Sequence, residues 1–128
     1  MTTEYLRMLI AAAPSIREVW LIGSRADHTA RPNSDWDYLV FGTRLTLQAL
    51  QSTPALKRQD VDVLVVYDGD AFEEPWGTDD HLKRGALSRW EWAMLGPERA
   101  MYRGTKPRDS DGFYVKVAVR QARRVFVK

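Results

Sequence analysis

The sequence contains no cysteine, which excludes a disulfide framework and any thiolate metal site. It has no apolar run approaching the ~18 residues needed to cross a bilayer. It has no internal repeat and no low-complexity segment. Histidine is scarce, with only His28 and His81. Residues 1–13 carry Glu4 and Arg7 and lack the shape of a signal peptide. These absences point to a soluble, cytoplasmic chain, away from membranes, forming a single domain over 1–128.

What is present is ordinary in bulk and uneven in detail. Hydrophobic residues make up 45% and charged residues 28%, as in a typical globular protein, and 128 residues are enough to bury a core. The net charge of +2 hides an asymmetry. Residues 65–82 hold six acids and no Lys or Arg, whereas 83–128 hold twelve bases against four acids. A basic C-terminal third can attract phosphate or nucleic acid. Its bases are scattered, however, and form no Lys/Arg block.

Periodicity is clearest in the first half. Tyr5, Leu6, Leu9, Ile10 and Ala13 recur at helical spacing, with Glu4 in the first turn and Pro14 past the end. Segments 16–22, 36–41 and 61–67 are rich in β-branched and aromatic residues and read as strands, the first two closed by Gly23 and Gly42. The third is apolar on both faces in its later part, so it is expected to be central and covered on both sides. Residues 46–51 read as one or two helical turns. Beyond Tyr67 the pattern weakens. Residues 68–85 look like one long loop, 87–94 like a strand, 97–102 like a helix start, 106–112 like turns and 113–119 like a strand. Residues 121–127 suit strand or helix. The helix–strand–helix–strand order of the first half argues for an α+β class, an α/β sandwich.

The chemistry concentrates at three points. Asp35 and Asp37 stand at the mouth of the second strand, two apart, and so face one way roughly 6.5–7 Å from each other. Asp62 stands near the mouth of the third strand. Asp60 is expected to share its face, which leaves two candidates for a third acid. Mg²⁺ takes hard oxygen ligands, only one or two of them from protein when phosphates supply others. Two such ions about 3.5–4 Å apart stabilise both the attacking and the leaving oxygen at phosphorus. Carboxylates crowded at one place repel, and bound metal offsets that repulsion. The third point is Gly23-Ser24-Arg25, directly after a strand. Gly23 supplies conformational freedom. If Ser24 opens a helix, its backbone N–H and hydroxyl would face a phosphate, with Arg25 adding a charged contact.

In this order and spacing the residues resemble the DNA polymerase β-like nucleotidyltransferase superfamily, and within it the small, single-domain minimal nucleotidyltransferases. The matching parts read Leu21-Ile22-Gly23-Ser24-Arg25-Ala26, then Asn33-Ser34-Asp35-Trp36-Asp37-Tyr38-Leu39-Val40, then Val61-Asp62-Val63-Leu64. They lie in 1–67, about half the chain, with 68–128 as a C-terminal extension. The resemblance implies a nucleotidyltransferase fold with helices packed on a mixed sheet. It implies two Mg²⁺ ions and ATP or another nucleoside triphosphate as substrate. Carried over, Gly23 and Ser24 would hold the triphosphate tail, and Asp35 and Asp37 would bind metal. Asp62, flanked by Val61 and Val63, would complete the metal site and help deprotonate the acceptor. Asp27 and His28 depart from the family, which often has a small basic run with glycine there. The resemblance leaves the acceptor hydroxyl open. It could lie on a small helical partner protein of the HEPN type, on a small polyol or on an RNA end.

Two rival classes stand beside this one. One is a non-catalytic, antitoxin-like module that binds nucleotide or a partner without turnover. The other binds nucleic acid through the basic C-terminal third, where Arg120, Arg123 and Arg124 either pair with acids or meet a polyanion. Among the remaining residues, the Asp79-Asp80-His81 run reads as a solvated loop, and so does His28. Trp90 and Trp92 read as one buried sheet face, and Trp76 as a candidate ring for base stacking.

Overall fold

The computed structural model describes residues 2–77, 82–103, 105–107, 114–116 and 118–128. Helix α1 (Thr2–Ala12) forms where the apolar residues recur every three or four. It buries Tyr5 and Leu9, and the Tyr5 hydroxyl donates to the Leu56 carbonyl at 2.6 Å. Strand β1 (Glu18–Ile22) follows and ends in a single 3-10 turn, Gly23–Arg25. Strand β2 (Trp36–Phe41) pairs antiparallel with β1. Strand β3 (Val61–Tyr67) lies parallel to β2. Parallel neighbours cannot be joined by a tight hairpin, and helix α2 (Arg44–Gln51) makes the crossover. Thr43 and Thr46 close its first turn with a capping box. Thr46 is fully buried, and its hydroxyl meets that of Ser15 at 2.6 Å.

The rest of the chain extends the sheet on both sides. Strands β4 (Ala71–Glu73) and β5 (Arg84–Ala86) add to β3. Strands β6 (Ala93–Met94), β7 (Arg99–Tyr102) and β10 (Arg120–Val127) add to β1. Strands β8 (Thr105–Pro107) and β9 (Tyr114–Lys116) form a separate two-stranded ladder. The main sheet has eight strands in the order β5-β4-β3-β2-β1-β10-β7-β6, antiparallel except at β2/β3. The sheet is therefore mixed, as expected, but the molecule carries more strand than the expected sandwich.

Alternation along the central strands makes two cores. Val19, Leu21, Tyr38, Val40, Val63 and Val65 pack under the helices with Leu9, Leu47 and Leu50. Trp20, Ile22, Leu39, Leu64 and Val66 point the other way. No described helix covers that second face. The connecting segment 87–92 crosses it. Trp90 touches Phe72 of β4 and Tyr102 of β7, and Trp92 stacks edge-on against Trp20 of β1.

Several expectations for the second half are corrected here. Residues 68–85 are not one long loop. Asp68 and Gly69 turn with positive φ, and β4 and β5 continue the sheet. Segment 87–94 is a 3-10 turn (Leu87–Trp90) followed by Glu91 in the left-handed region and a two-residue strand. That turn breaks the alternation Trp90 and Trp92 suggested, although both rings still pack on the second core. Residues 97–102 form β7, because pairing with β10 and β6 outweighs the local Pro-Glu helix signal. Residues 121–127 are strand. The Asp79-Asp80-His81 run lies outside the described residues.

Candidate functional site

The C-terminal end of β1 and the N-terminal ends of β2 and β3 meet at one edge of the sheet. The register sets Asp37 beside Ile22 on one flank and directly beside Asp62 on the other. Tyr38 and Val63 face the helices, so alternation turns Asp37 and Asp62 to the opposite face. There they head the apolar rows Leu39 and Leu64-Val66 of the second core. Asp62 acts on the Asp37 carboxyl directly from the adjacent strand. Burial pushes the Asp37 carboxyl up. The charge and hydrogen bond of Asp62 and the charge of Asp35 push it further, against only Lys83, to about 7.

Asp35 is exposed, one residue before β2, and acts on Asp37 through charge. Asp60 does not share the face of Asp62. It sits in the turn closed by the Arg58–Val61 bridge, where strand alternation has not begun. Its charge bears on Tyr5, on the helix side.

The glycine turn lies against the same carboxylates. Gly23 has φ +72, a conformation side chains resist, and a Cβ there would collide with Asp37 Oδ2. Glycine thus allows the β1 turn to close on Asp37. The Gly23 N–H donates to the Tyr102 hydroxyl at 2.7 Å. Ser24 is half-buried beside it. The helix expected to open at Ser24 does not form. The 3-10 turn is three residues long, too short to carry a helix dipole, so any phosphate contact there must come from individual donors. Arg25 is spent on its own loop. It donates to the carbonyls of Ser34 at 3.0 Å and Pro32 at 3.3 Å, with its guanidinium 4.4 Å above the Trp36 ring. Trp36 belongs to the helix-side core, so Arg25 braces the loop from the side opposite Asp37.

The departure at Asp27-His28 has a structural account. His28 adopts φ 63, where a glycine would be unstrained, and its side chain is exposed. Asp27 accepts a hydrogen bond from Arg120 Nε at 2.7 Å and others from Thr29. Burial alone would push Asp27 up, but these bonds outweigh it and hold the carboxyl below its usual range. Arg120 is thereby paired with an acid, as Arg84 is with Glu73 and Arg103 with Glu91. The basic C-terminal third is thus partly neutralised, by Asp27 and Glu73 from earlier in the chain and by its own Glu91.

A cleft of about 220 Å³ opens beside the aspartates. Ile22, Leu64 and Trp90 give it an apolar wall, and Asp37, Asp62, Glu74 and Lys83 line its polar part. Glu74, Lys83, Trp90 and Tyr102 escape a sequence reading, since only tertiary pairing brings them here. Trp76 is no free stacking ring. Its indole N–H donates to the Leu50 carbonyl at 2.6 Å, and it packs on the helix-side core.

Among the described residues, no three of His, Cys, Asp and Glu gather closely enough to form a metal cage by themselves. The chain offers instead the Asp37–Asp62 pair with Asp35 behind it, all hard oxygen donors whose repulsion a cation would relieve. That partial set fits Mg²⁺, whose remaining ligands can be phosphate and water oxygens.

No protein-family model and no curated protein matches the chain. One solved structure, of a candidate nucleotidyltransferase from Sulfolobus solfataricus, superimposes with a TM-score of 0.44 and 24% identity. The match covers 53% of this chain and 65%, under two-thirds, of that one. A likeness of that size adds no weight to the function of this chain. No helix among the described residues is long and apolar enough to cross a membrane.

Proposed function

We propose that the chain is a Mg²⁺-dependent nucleotidyltransferase that moves a nucleoside monophosphate, AMP from ATP by resemblance, onto a hydroxyl acceptor. One observation carries the reading. Asp37 and Asp62 stand in register on parallel strands, Asp62 helping to raise the Asp37 carboxyl, while the Gly23 turn closes on Asp37 from the other flank. Carboxylates so crowded oppose folding unless a positive group completes them. A glycine turn beside them is where a triphosphate tail can lie.

In the reaction, the acceptor oxygen bonds to the α-phosphorus as the bond from that phosphorus to the pyrophosphate oxygen breaks. Bound Mg²⁺ supplies charge neutralisation at the phosphates and orients the two ends in line. The residues do the positioning. Ser24 offers its N–H and hydroxyl to the triphosphate. Asp35, Asp37 and Asp62 present the metal-facing oxygens. Asp62 lies on the flank away from Gly23 and next to the cleft, so it is placed to take the acceptor's proton. Glu74, Lys83 and Trp90 line the space an acceptor would enter. Because the acceptor is left open by this geometry, a hydroxyl on a helical partner protein belongs to the proposal alongside a small polyol.

Titration calorimetry tests the reading without an acceptor. Wild type should bind ATP only with Mg²⁺, and the Asp35→Asn/Asp37→Asn variant, folded by circular dichroism, should not. Failure of wild type to bind any of ATP, GTP, CTP or UTP would overturn it.

A further inference from the structure

Besides lining the cleft with Glu74, Lys83 and Trp90, the C-terminal extension holds the glycine turn itself, through a contact of which the sequence gives no hint. Tyr102, on β7, lies 79 positions from Gly23 and accepts its backbone N–H at 2.7 Å, with both groups buried. The phenol ring is fixed from two sides, its centroid 5.7 Å from that of Trp90 and 6.1 Å from that of Trp92. Burial pushes the Tyr102 hydroxyl up, so it remains a neutral phenol able to accept this hydrogen bond. Arg120, on β10 beside β7, ties the same loop down through Asp27.

The Gly23 turn needs such a hold. It is a single 3-10 turn with no helix behind it, and its first residue sits at φ +72 against Asp37. A glycine is free to leave that conformation at small cost. If it did, the distance between the turn and the aspartates would change.

Resting on the nucleotidyltransferase reading, we infer that Tyr102 is a positioning residue. Its hydroxyl locks the Gly23-Ser24 turn at the spacing from Asp37 and Asp62 that a metal-bound triphosphate requires. It acts through Gly23 and leaves Ser24 as the turn's donor to phosphate. The extension is then part of the nucleotide site and not only a cover for the sheet.

The test compares wild type, Tyr102→Phe and Val66→Ala by calorimetry with Mg·ATP, and by hydrogen exchange at the Gly23 amide. Tyr102→Phe keeps the ring and loses the acceptor. Val66→Ala weakens the same apolar face far from the turn, and so controls for lost stability. Tyr102→Phe should weaken Mg·ATP binding about three- to tenfold, the worth of one hydrogen bond, and speed Gly23 exchange. Its affinity for Mn²⁺ alone should stay within twofold of wild type, because the aspartates are untouched. Val66→Ala should bind Mg·ATP as wild type does. Wild-type nucleotide affinity and unchanged Gly23 exchange in Tyr102→Phe would overturn the role of Tyr102 alone. Equal weakening in Val66→Ala would reduce it to general stability and overturn it too. Absence of nucleotide binding in wild type would instead remove the nucleotidyltransferase reading, and this role with it.

Discussion

Gly23 is where backbone conformation and site chemistry meet. Its positive φ alone disfavours any side chain, and the collision with Asp37 Oδ2 adds to that. Gly23→Ala should therefore destabilise the fold by about 2–3 kcal/mol, measured by urea denaturation. The two causes can be separated. In an Asp37→Ala background the collision disappears and only the conformational cost of about 1 kcal/mol remains. A double-mutant cycle should then return a coupling of at least about 1 kcal/mol between the two positions. Additive effects would mean that the turn does not press on the carboxylate. The glycine was legible in the sequence as a turn after a strand. Its reason was not, because the partner it must avoid lies on another strand.

Most secondary-structure elements that announce themselves are the longer ones, although β10, with eight residues, suits strand or helix until it is paired. Helix α1 and strands β1, β2 and β3 have at least five residues each, long enough for a period to show, and they carry Asp37 and Asp62, with Gly23 just past β1 and Asp35 just ahead of β2. Strands β4 and β5 have three residues and β6 has two. No period can be read from so few positions, and their identity comes from pairing with neighbours. The choice of third acid between Asp60 and Asp62 stays open in the sequence for a related reason. Alternation was extended back to Asp60, across a turn where it does not hold. Helix α2 offers a test of how far an element's stability can be separated from the site. Its capping Thr46 is buried at the end of β2 remote from Asp37. Thr46→Val keeps the volume but removes the bond that its hydroxyl accepts from the Thr43 N–H, one half of the capping box, and the bond to Ser15. It should cost about 1–2 kcal/mol by urea denaturation. Mg·ATP affinity measured well below the melting temperature should be unchanged, and a large loss would mean that α2 and the carboxylate edge are coupled through β2.

For the molecule as a whole, the carboxylate edge makes stability depend on pH in a direction opposite to ordinary acid denaturation. Asp37 titrates at about 7 in the fold against 3.8 in the free residue. A raised carboxyl favours the fold below its unfolded value, and that contribution is lost as pH climbs through the folded one. Stability in EDTA should therefore fall between pH 4 and pH 8. A shift of this size has a ceiling of about 4 kcal/mol, and partial solvent access at the mouth reduces it to about 1–3 kcal/mol. Asp27 works the other way, since its lowered value costs stability only as the solution becomes more acidic than the usual carboxylate range. The two windows do not overlap. Asp62→Asn removes the strongest neighbouring charge, so it should raise the melting temperature at pH 8 by several degrees and leave it nearly unchanged at pH 4. Saturating Mg²⁺ with ATP should do for wild type at pH 8 what the substitution does, because a ligand bound only by the fold stabilises it by mass action. It should add little to Asp62→Asn. Melting curves of both proteins at the two pH values, with and without Mg·ATP, give the comparison. If Asp62→Asn lowers the melting temperature at pH 8, the pair is a stabilising structural contact, and its repulsion is no longer an argument for a bound cation.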